Sequence, residues 1–367
     1  MKRMREIIRK YVPVWVIFSA VLLAASLILF LFASIFPTFA DLLNSTVSAA
    51  LRFIFATVSG IFPFSLFEMC LILAPALAVI LIVALVRTKR GRVWRVRAVS
   101  CLVGVIFILY SLYALMLGIG YKTSPLSEKM DLDPNPEVSG EELYRLTEYI
   151  VDEINALAPN IDFTDGETRM GYSLDELSSK LSLAYETLEQ KYSFIDSSFT
   201  RIKPVALSSV MSDMGIMGIY GYFTGEANIN ISYPDYTVPF TAAHEMAHQR
   251  GVARENEANF IAYLVCIESD DEYIRYSGYL GLFEYLASAL YYTDKAGYET
   301  LVSSLADCVV SDIRASNAIT REHQDSFINK FMDKVNDLYL KSNGTEGSIS
   351  YSYVTRLALS YYKDRIN

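Results

Sequence analysis

The chain has 367 residues, of which 52% are hydrophobic, and it carries a formal net charge of −9. Residues 1–120 hold 12 basic and 3 acidic residues (12 − 3 = +9), so 121–367 holds 20 basic and 38 acidic residues (20 − 38 = −18). This division predicts two environments for one chain, and the acidic part excludes nucleic acid as a partner because phosphates would be repelled. The four cysteines form no CxxC pair and predict no disulfide framework, while a Cys266–Cys308 bridge stays open.

Three apolar runs predict a membrane domain over 1–120, with spanning helices at about 13–36, 66–86 and 98–120. Such runs are long enough to cross a hydrocarbon core of about 30 Å. The intervening segment 42–63 is apolar, but Ser, Thr, Gly and Pro interrupt it and it carries Arg52. We therefore predict a re-entrant or interfacial helix there instead of a further span.

The basic residues predict the orientation of a multi-pass protein of the cell membrane. The N-terminal stretch KRMREIIRK holds five, and RTKRGRVWRVR, between the second and third spans, holds six. Because basic loops stay in the cytoplasm, the N-terminus is predicted to be cytoplasmic. Three spans then place the chain after residue 121 outside the cytoplasm, with membrane lipid as one partner.

The remaining chain is predicted to be mostly α-helical. Residues 121–140 are rich in Pro, Ser and charge and predict a linker, and Ser139 with Glu142 forms a capping box that opens a helix. The exception is 215–233, where four glycines precede the alternating stretch NINISY. This pattern predicts a turn and a strand over about 225–233, and hence a small sheet within a helical domain.

The stretch TAAHEMAHQRGVARENEAN, residues 241–259, contains two of the three histidines of the chain. On a helix, His244 and His248 project from one face and can bind one metal ion together. Glu245 can then take a proton from a water whose pKa the metal lowers towards about 7, which is the logic of H-E-x-x-H zinc metallopeptidases. The alternative, two surface histidines on a solvated helix, is disfavoured because the flanking residues are mostly apolar.

A catalytic zinc site needs a third protein ligand and one open position. Glu255 follows His248 by seven residues, which is about 10 Å of rise on an unbroken helix and too far to share an ion. Gly251 is predicted to turn the chain back, so that Glu255 reaches the metal from a second helix. Glu257 is the alternative ligand, and Asn259, four residues after Glu255, is predicted to orient one of the two histidines.

The stretches GYFTGEANIN, PFTAAHEMAHQRG, ARENEANFIAYL, NDLYLKSNG and SYSYV, together with three N-terminal spans, resemble a family of uncharacterised bacterial membrane proteins that is catalogued only as a domain of unknown function. Its members are similar to zincin-type metallopeptidases, and the resemblance covers most of the chain. The resemblance implies a zincin-like, helix-rich α+β domain over 141–367 that binds Zn²⁺. It is also gluzincin-like: there the Glu of an E-x-x-x-D element supplies the third ligand, which corresponds to Glu255, with Asn259 in place of the acid.

In zincins, an edge strand before the HExxH helix pairs with the substrate backbone, and a Tyr or His stabilises the oxyanion. By this resemblance, 225–233, with Glu226, Asn228 and Asn230, is predicted to bind the peptide or protein substrate. The oxyanion candidates are His323, Tyr351 and Tyr353.

Two functions follow. The first is hydrolysis of peptide bonds at the outer face of the membrane. The alternative is a non-catalytic envelope interaction or sensor protein braced by zinc, with Glu257 or His323 as a fourth ligand. Intramembrane proteolysis is disfavoured because charged residues flank the HExxH stretch, which lies more than 120 residues after the last span.

Overall fold

The computed structural model describes residues 10–87, 91–136, 138–196, 198, 200–324, 326–345 and 353–366, and these are mostly helical, as predicted. The helices are α1 Val14–Ile35, α2 Pro37–Leu43, α3 Ala49–Gly60, α4 Leu66–Arg87, α5 Arg92–Met116, α6 Leu126–Lys129, α7 Gly140–Leu157, α8 Leu174–Lys191, α9 Ser208–Asp213, α10 Thr237–Gln249, α11 Glu255–Ile267, α12 Glu272–Thr293, α13 Lys295–Ser303, α14 Asp307–His323, α15 Phe327–Ser342 and α16 Tyr353–Ile366. A short π-helix, Asn44–Ser48, joins α2 to α3, and 3₁₀ helices occupy Gly118–Lys122 and Ala158–Asn160. The strands are β1 Phe163–Thr164, β2 Glu167–Thr168, β3 Ile202–Pro204, β4 Gly218–Gly221 and β5 Glu226–Ile229.

Among the described residues of the N-terminal third, four helices are long and apolar enough to cross a membrane, which indicates a membrane protein. They are Val14–Ile35, Pro37–Gly60, Leu66–Arg87 and Arg92–Met116. Three of them overlap the predicted spans, and the second covers most of 42–63. Helices α1 and α5 pack closely, since a Cβ atom on Gly104 would lie 2.5 Å from Cζ3 of Trp15.

The segment between α1 and α4 contacts the globular part of the chain at both of its ends. At its start, Asp41 pairs with Lys129 at 2.8 Å and accepts the Ser124 N–H at 3.3 Å. At its end, the Ser65 hydroxyl donates to Asn228 Oδ1 at 2.6 Å. Residues 41–65 therefore contact the globular part at both of their ends.

A buried lysine holds the connection between α3 and α4. The Lys203 ammonium, from β3, donates to the carbonyls of Ser59 and Phe62 and lies 3.8 Å from the Glu226 carboxylate. Both side chains are 1% exposed. The Glu226 carboxylate in turn accepts the backbone N–H groups of 66–67. The start of α4 is thus bound directly to the sheet through Glu226. These hydrogen bonds also stabilise the buried ion pair, which needs such partners.

The predicted linker 121–140 is only partly a linker. Its first half is packed: Tyr121 and Leu126 are buried, and the Arg254 guanidinium donates to the Tyr121 carbonyl at 3.1 Å. Its second half is mostly exposed and ends at the predicted capping box, where the Ser139 hydroxyl accepts the Glu142 N–H at 3.0 Å. Composition alone missed the packing because the contacts come from residues far along the chain.

The globular core is helical and surrounds α11 and α12. It packs residues of α7, α8, α10 and α16 against these two helices, and Leu143, Ile150 and Tyr263 are among its fully buried side chains. Cys266 is buried there and Cys308 is partly buried; both are free thiols, so the open Cys266–Cys308 bridge is not formed.

The prediction that 225–233 is an edge strand is wrong. In the described three-stranded sheet the order is β3-β5-β4, so β5 lies in the centre, parallel to β3 and antiparallel to β4. Its polar side chains have structural partners: Glu226 binds the start of α4, Asn228 accepts from Ser65, and Asn230 donates to the Ile216 carbonyl. Since both sides of β5 are paired, this strand has no free edge for a substrate.

Candidate metal centre

Helix α10 carries the two histidines into the interior of the globular part. Its apolar residues Ala242, Ala243, Met246 and Ala247 are fully buried, and the helix packs against α11, α12 and β5. The four-residue spacing places the rings of His244 and His248 side by side, with centroids 4.5 Å apart and planes at 88°. Packing of the alanine-rich face therefore determines where the two imidazoles point.

A left-handed glycine ends α10, as predicted, and returns the chain to the histidines. Gly251 has φ of +90°, its N–H donates to the His248 carbonyl at 3.0 Å, and the Val252 N–H donates to the Ala247 carbonyl at 3.1 Å. This pair of bonds is a Schellman motif. The segment between α1 and α4 supports the turn, because the Asn44 side-chain amide donates to the Gly251 carbonyl at 3.1 Å.

The variant Gly251→Ala is expected to lower the free energy of unfolding by about 1–3 kcal/mol, since a side chain at this φ is strained. A Cβ atom would also lie 2.7 Å from Asn44 Oδ1. Thermal unfolding of the full-length protein in detergent measures the change. The control is Gly171→Ala, where a Cβ atom meets nothing within 4 Å. Equal stability of the two variants would contradict the strained turn.

The returning chain begins α11 with Glu255, which faces both histidines. Glu255 Oε2 lies 3.3 Å from His244 Nε2, and Glu255 Oε1 lies 3.5 Å from His248 Nε2. One donor atom from each of the three residues lies within 4.8 Å of the other two. The structure thus brings together the three side chains that the sequence analysis named as ligands.

The charges of this cluster depend on each other. Although burial opposes ionisation of Glu255, the two imidazoles lower the pKa of its carboxyl well below the usual range. Burial lowers the pKa of His248, but the Glu255 and Glu245 carboxylates act more strongly and raise it to about 9. The ring of His248 is fixed by its other nitrogen, since Nδ1 lies 2.8 Å from the Val252 carbonyl.

Glu245 lies beside the cluster and against β4. Its side chain is buried, and a Cβ atom on Gly218 would lie 2.6 Å from Glu245 Oε1, so glycine is required there. The Tyr220 backbone N–H donates to the carboxylate. Burial raises the pKa of the Glu245 carboxyl, while the two imidazoles partly offset this effect. A proton acceptor thus lies between the cluster and the edge of the sheet.

Neither the alternative ligand nor the predicted orienting residue completes the cluster. Glu257 Oε1 accepts from the Arg254 guanidinium and from the Leu126 N–H, both at 2.9 Å. It therefore binds the start of α6 and not the metal cluster. Asn259 is buried on α11, but its Nδ2 has no hydrogen-bond partner among the described residues, and neither has Nδ1 of His244. The residue that orients His248 is Val252, through a main-chain carbonyl that composition cannot reveal.

A comparison with protein families matches residues 44–359 to the model of DUF3810, a protein of unknown function. The chain belongs to the DUF3810 family. The match includes the cluster, its Asn44 support and helices α4 and α5. No curated protein and no solved structure matches the chain.

Two of the three oxyanion candidates, His323 and Tyr353, have other neighbours in this DUF3810 protein. His323 is the last residue of α14, and its Nδ1 lies 2.7 Å from Asp213 Oδ1. Tyr353 lines a small cleft of about 100 Å³ together with Glu257 and Arg356. Tyr351 lies outside the described residues.

The Glu255 charge acts on two other tyrosines of the DUF3810 protein. Burial raises the pKa of Tyr339 and of Tyr121, and the Glu255 charge raises both further. Their hydroxyls lie 3.4 Å apart. Tyr339 belongs to the stretch NDLYLKSNG, so a signal existed in the sequence, but the choice among 26 tyrosines needed the tertiary contacts.

Proposed function

We propose that this DUF3810 protein is a membrane-anchored zinc metallopeptidase that hydrolyses peptide bonds at the outer face of the membrane. The observation that supports it is the convergence of His244, His248 and Glu255 within 4.8 Å, with Glu245 beside them. These residues lie within one short stretch of the sequence, and the turn between α10 and α11 brings their side chains together. The same geometry is what a hydrolytic metal site requires.

The cluster fits zinc by its chemistry. Two imidazole nitrogens and one carboxylate oxygen form a donor set of catalytic zinc sites. When bound, zinc would supply Lewis acidity, which polarises a carbonyl and acidifies water. In the described part of the chain Glu257 and His323 are engaged elsewhere, so neither supplies the fourth ligand that the non-catalytic alternative requires. The donor set therefore supports an open, reactive site.

The residues of the chain supply the proton transfer and the alignment of the substrate. Glu245 is positioned to accept a proton from the attacking water and to pass it to the leaving amine. In an antiparallel pair, the backbone N–H and C=O groups of successive residues point alternately towards the partner strand and away from it. Because the Asn230 N–H donates to the Met217 carbonyl, the backbone N–H and C=O groups of Gly218 and Tyr220 point away from β5. In the described sheet no strand pairs with this outer edge of β4, where the Tyr220 N–H donates to Glu245, so a substrate strand laid there would lie next to that carboxylate.

The hydroxyl of Tyr339 is our candidate for stabilising the oxyanion. A phenol near a metal cluster can donate a hydrogen bond where negative charge develops during attack on a carbonyl. Because the pKa of Tyr339 is raised, the phenol keeps its proton across the physiological range. This role replaces the one that the sequence analysis assigned to His323, Tyr351 or Tyr353.

We propose three spans, α1, α4 and α5, with the helical segment Pro37–Gly60 on the outer surface. A helix that crosses the membrane has its ends about 30 Å apart in depth. In contrast, Asp41, near the start of this segment, and Ser65, just after its end, both contact the globular part. From Leu66, α4 then runs towards the basic stretch 87–97, which the distribution of charge assigns to the cytoplasm. The globular part is then extracytoplasmic.

The test is metal analysis and hydrolysis of a fluorogenic peptide library by the full-length protein in detergent. We expect about one zinc per chain, as a three-ligand site implies. We expect a chelator to abolish hydrolysis and added zinc to restore it. A protein that stays metal-free after incubation with zinc would overturn the proposal, as would hydrolysis that chelation leaves unchanged.

A further inference from the structure

Helix α15 presents a row of large apolar side chains to the outside of the globular part. Phe327, Phe331, Val335 and Leu338 are 84%, 56%, 41% and 69% exposed. Their spacing of four, four and three residues places them on one helix face, which we call the α15 stripe. A contiguous exposed apolar surface of this kind marks a contact with a partner or a membrane.

The C-terminal end of α15 is bound to the outer end of a membrane span. The Tyr113 hydroxyl donates to Asn343 Oδ1 at 2.5 Å, and the Lys122 ammonium donates to the Asn343 carbonyl at 2.9 Å. Tyr113 lies three residues before Met116, the last residue of α5. At a rise of about 1.5 Å per residue, Tyr113 lies roughly 5 Å along the helix from the end of the span, and its hydroxyl binds Asn343 near that level.

The N-terminal end of α15 is tied to a second span through α9. The Ser326 hydroxyl donates to the Asp213 carbonyl at 3.1 Å, where α9 ends. Just before α9, the N–H groups of Ala206 and Leu207 donate to the Glu68 carboxylate at 3.0 and 2.8 Å, and Glu68 lies in the first turn of α4. Six residues of helix add only about 9 Å. Both ends of α15 thus lie near the level at which spans leave the membrane.

The charges of α15 suit a position at a lipid surface. Lys334 and Lys341 each follow a residue of the stripe by three positions, so they border it. Lys334 can place its ammonium group among lipid headgroups while its methylene chain covers apolar surface, whereas the Lys341 ammonium pairs with Asp337 at 2.6 Å. Next to α9, Leu207 is 45% exposed and adds apolar surface near the same level.

We propose that α15 lies in the plane of the membrane, with the α15 stripe inserted at the headgroup boundary of the outer leaflet. The occupant of the stripe is the lipid bilayer. This contact does not depend on the peptidase activity. If the proposed function also holds, α15 carries Tyr339 at the level of the membrane surface, so the substrates are polypeptide segments next to the membrane.

The experiment uses the full-length protein with its four native cysteines replaced, and with single cysteines that carry an environment-sensitive fluorophore. Phe331→Cys and Leu338→Cys report on the stripe. Asp333→Cys, exposed and about 160° away on the same helix, and Tyr292→Cys, 84% exposed on α12, are the matched controls. Each protein is reconstituted into vesicles of zwitterionic and anionic phospholipid that contain a lipid with a nitroxide on its acyl chain.

We expect the nitroxide lipid to remove most of the emission at 331 and 338 and to leave 333 and 292 nearly unchanged. Quenching at the stripe that is no greater than at the controls would overturn the proposal. A blue-shifted emission at the stripe without quenching would also overturn it, since that result indicates a protein partner. Peptide hydrolysis is not part of the readout, so failure here is separate from failure of the proposed function.

Discussion

The variant Glu245→Gln is expected to keep its zinc and to lose peptide hydrolysis by about 10²–10⁴-fold, the usual contribution of a general base. The amide keeps the shape of the side chain and its contact with Gly218, but it cannot take a proton from water. The carboxylate does not belong to the group of three donors within 4.8 Å, so its replacement leaves the metal ligands in place. Hydrolysis of the peptide library and zinc per chain are measured on the same preparation.

The control for this variant is Glu299→Gln, on the exposed surface of α13, which makes the same chemical change away from the cluster. It should match the wild type in both zinc content and turnover. Retained turnover in Glu245→Gln would remove the base from the mechanism. Loss of zinc would show instead that Glu245 is a ligand.

The second large effect is expected for Glu255→Ala, which should purify with far less than one zinc per chain. Glu255 faces both His244 and His248, and its removal leaves two imidazoles without the carboxylate. The loss of affinity should exceed the roughly 10–100-fold that removal of an outer partner costs. Metal analysis after dialysis against a weak chelator measures it.

Glu257→Ala is the matched variant, two residues away on the same helix, and it should show the opposite result. It should keep zinc but lose about 1–3 kcal/mol of stability, because the Leu126 N–H would be left buried without its acceptor. Thermal unfolding measures this difference. If Glu257→Ala lost its zinc and Glu255→Ala kept it, the result would show that Glu257, and not Glu255, is the third ligand.

What the sequence by itself determined is local. The four-residue spacing of His244 and His248 predicts a shared helix face, and Gly251 predicts the end of that helix, because both depend on the geometry of a few consecutive residues. The apolar runs indicate a membrane protein for the same reason, since each covers the membrane thickness by itself.

Only the tertiary structure decided which strand has a free edge, where Glu257 is engaged and which tyrosines lie near the cluster. Strand β5 is central because β3 and β4 both pair with it, and β3 comes from more than 20 residues earlier. Tyr339 lies some 80 residues after Glu255, packs against Tyr113 and Tyr121, and has its pKa raised in part by the Glu255 charge. Such long-range contacts leave no periodic pattern in the residues that make them. They become visible only when packing brings distant segments together.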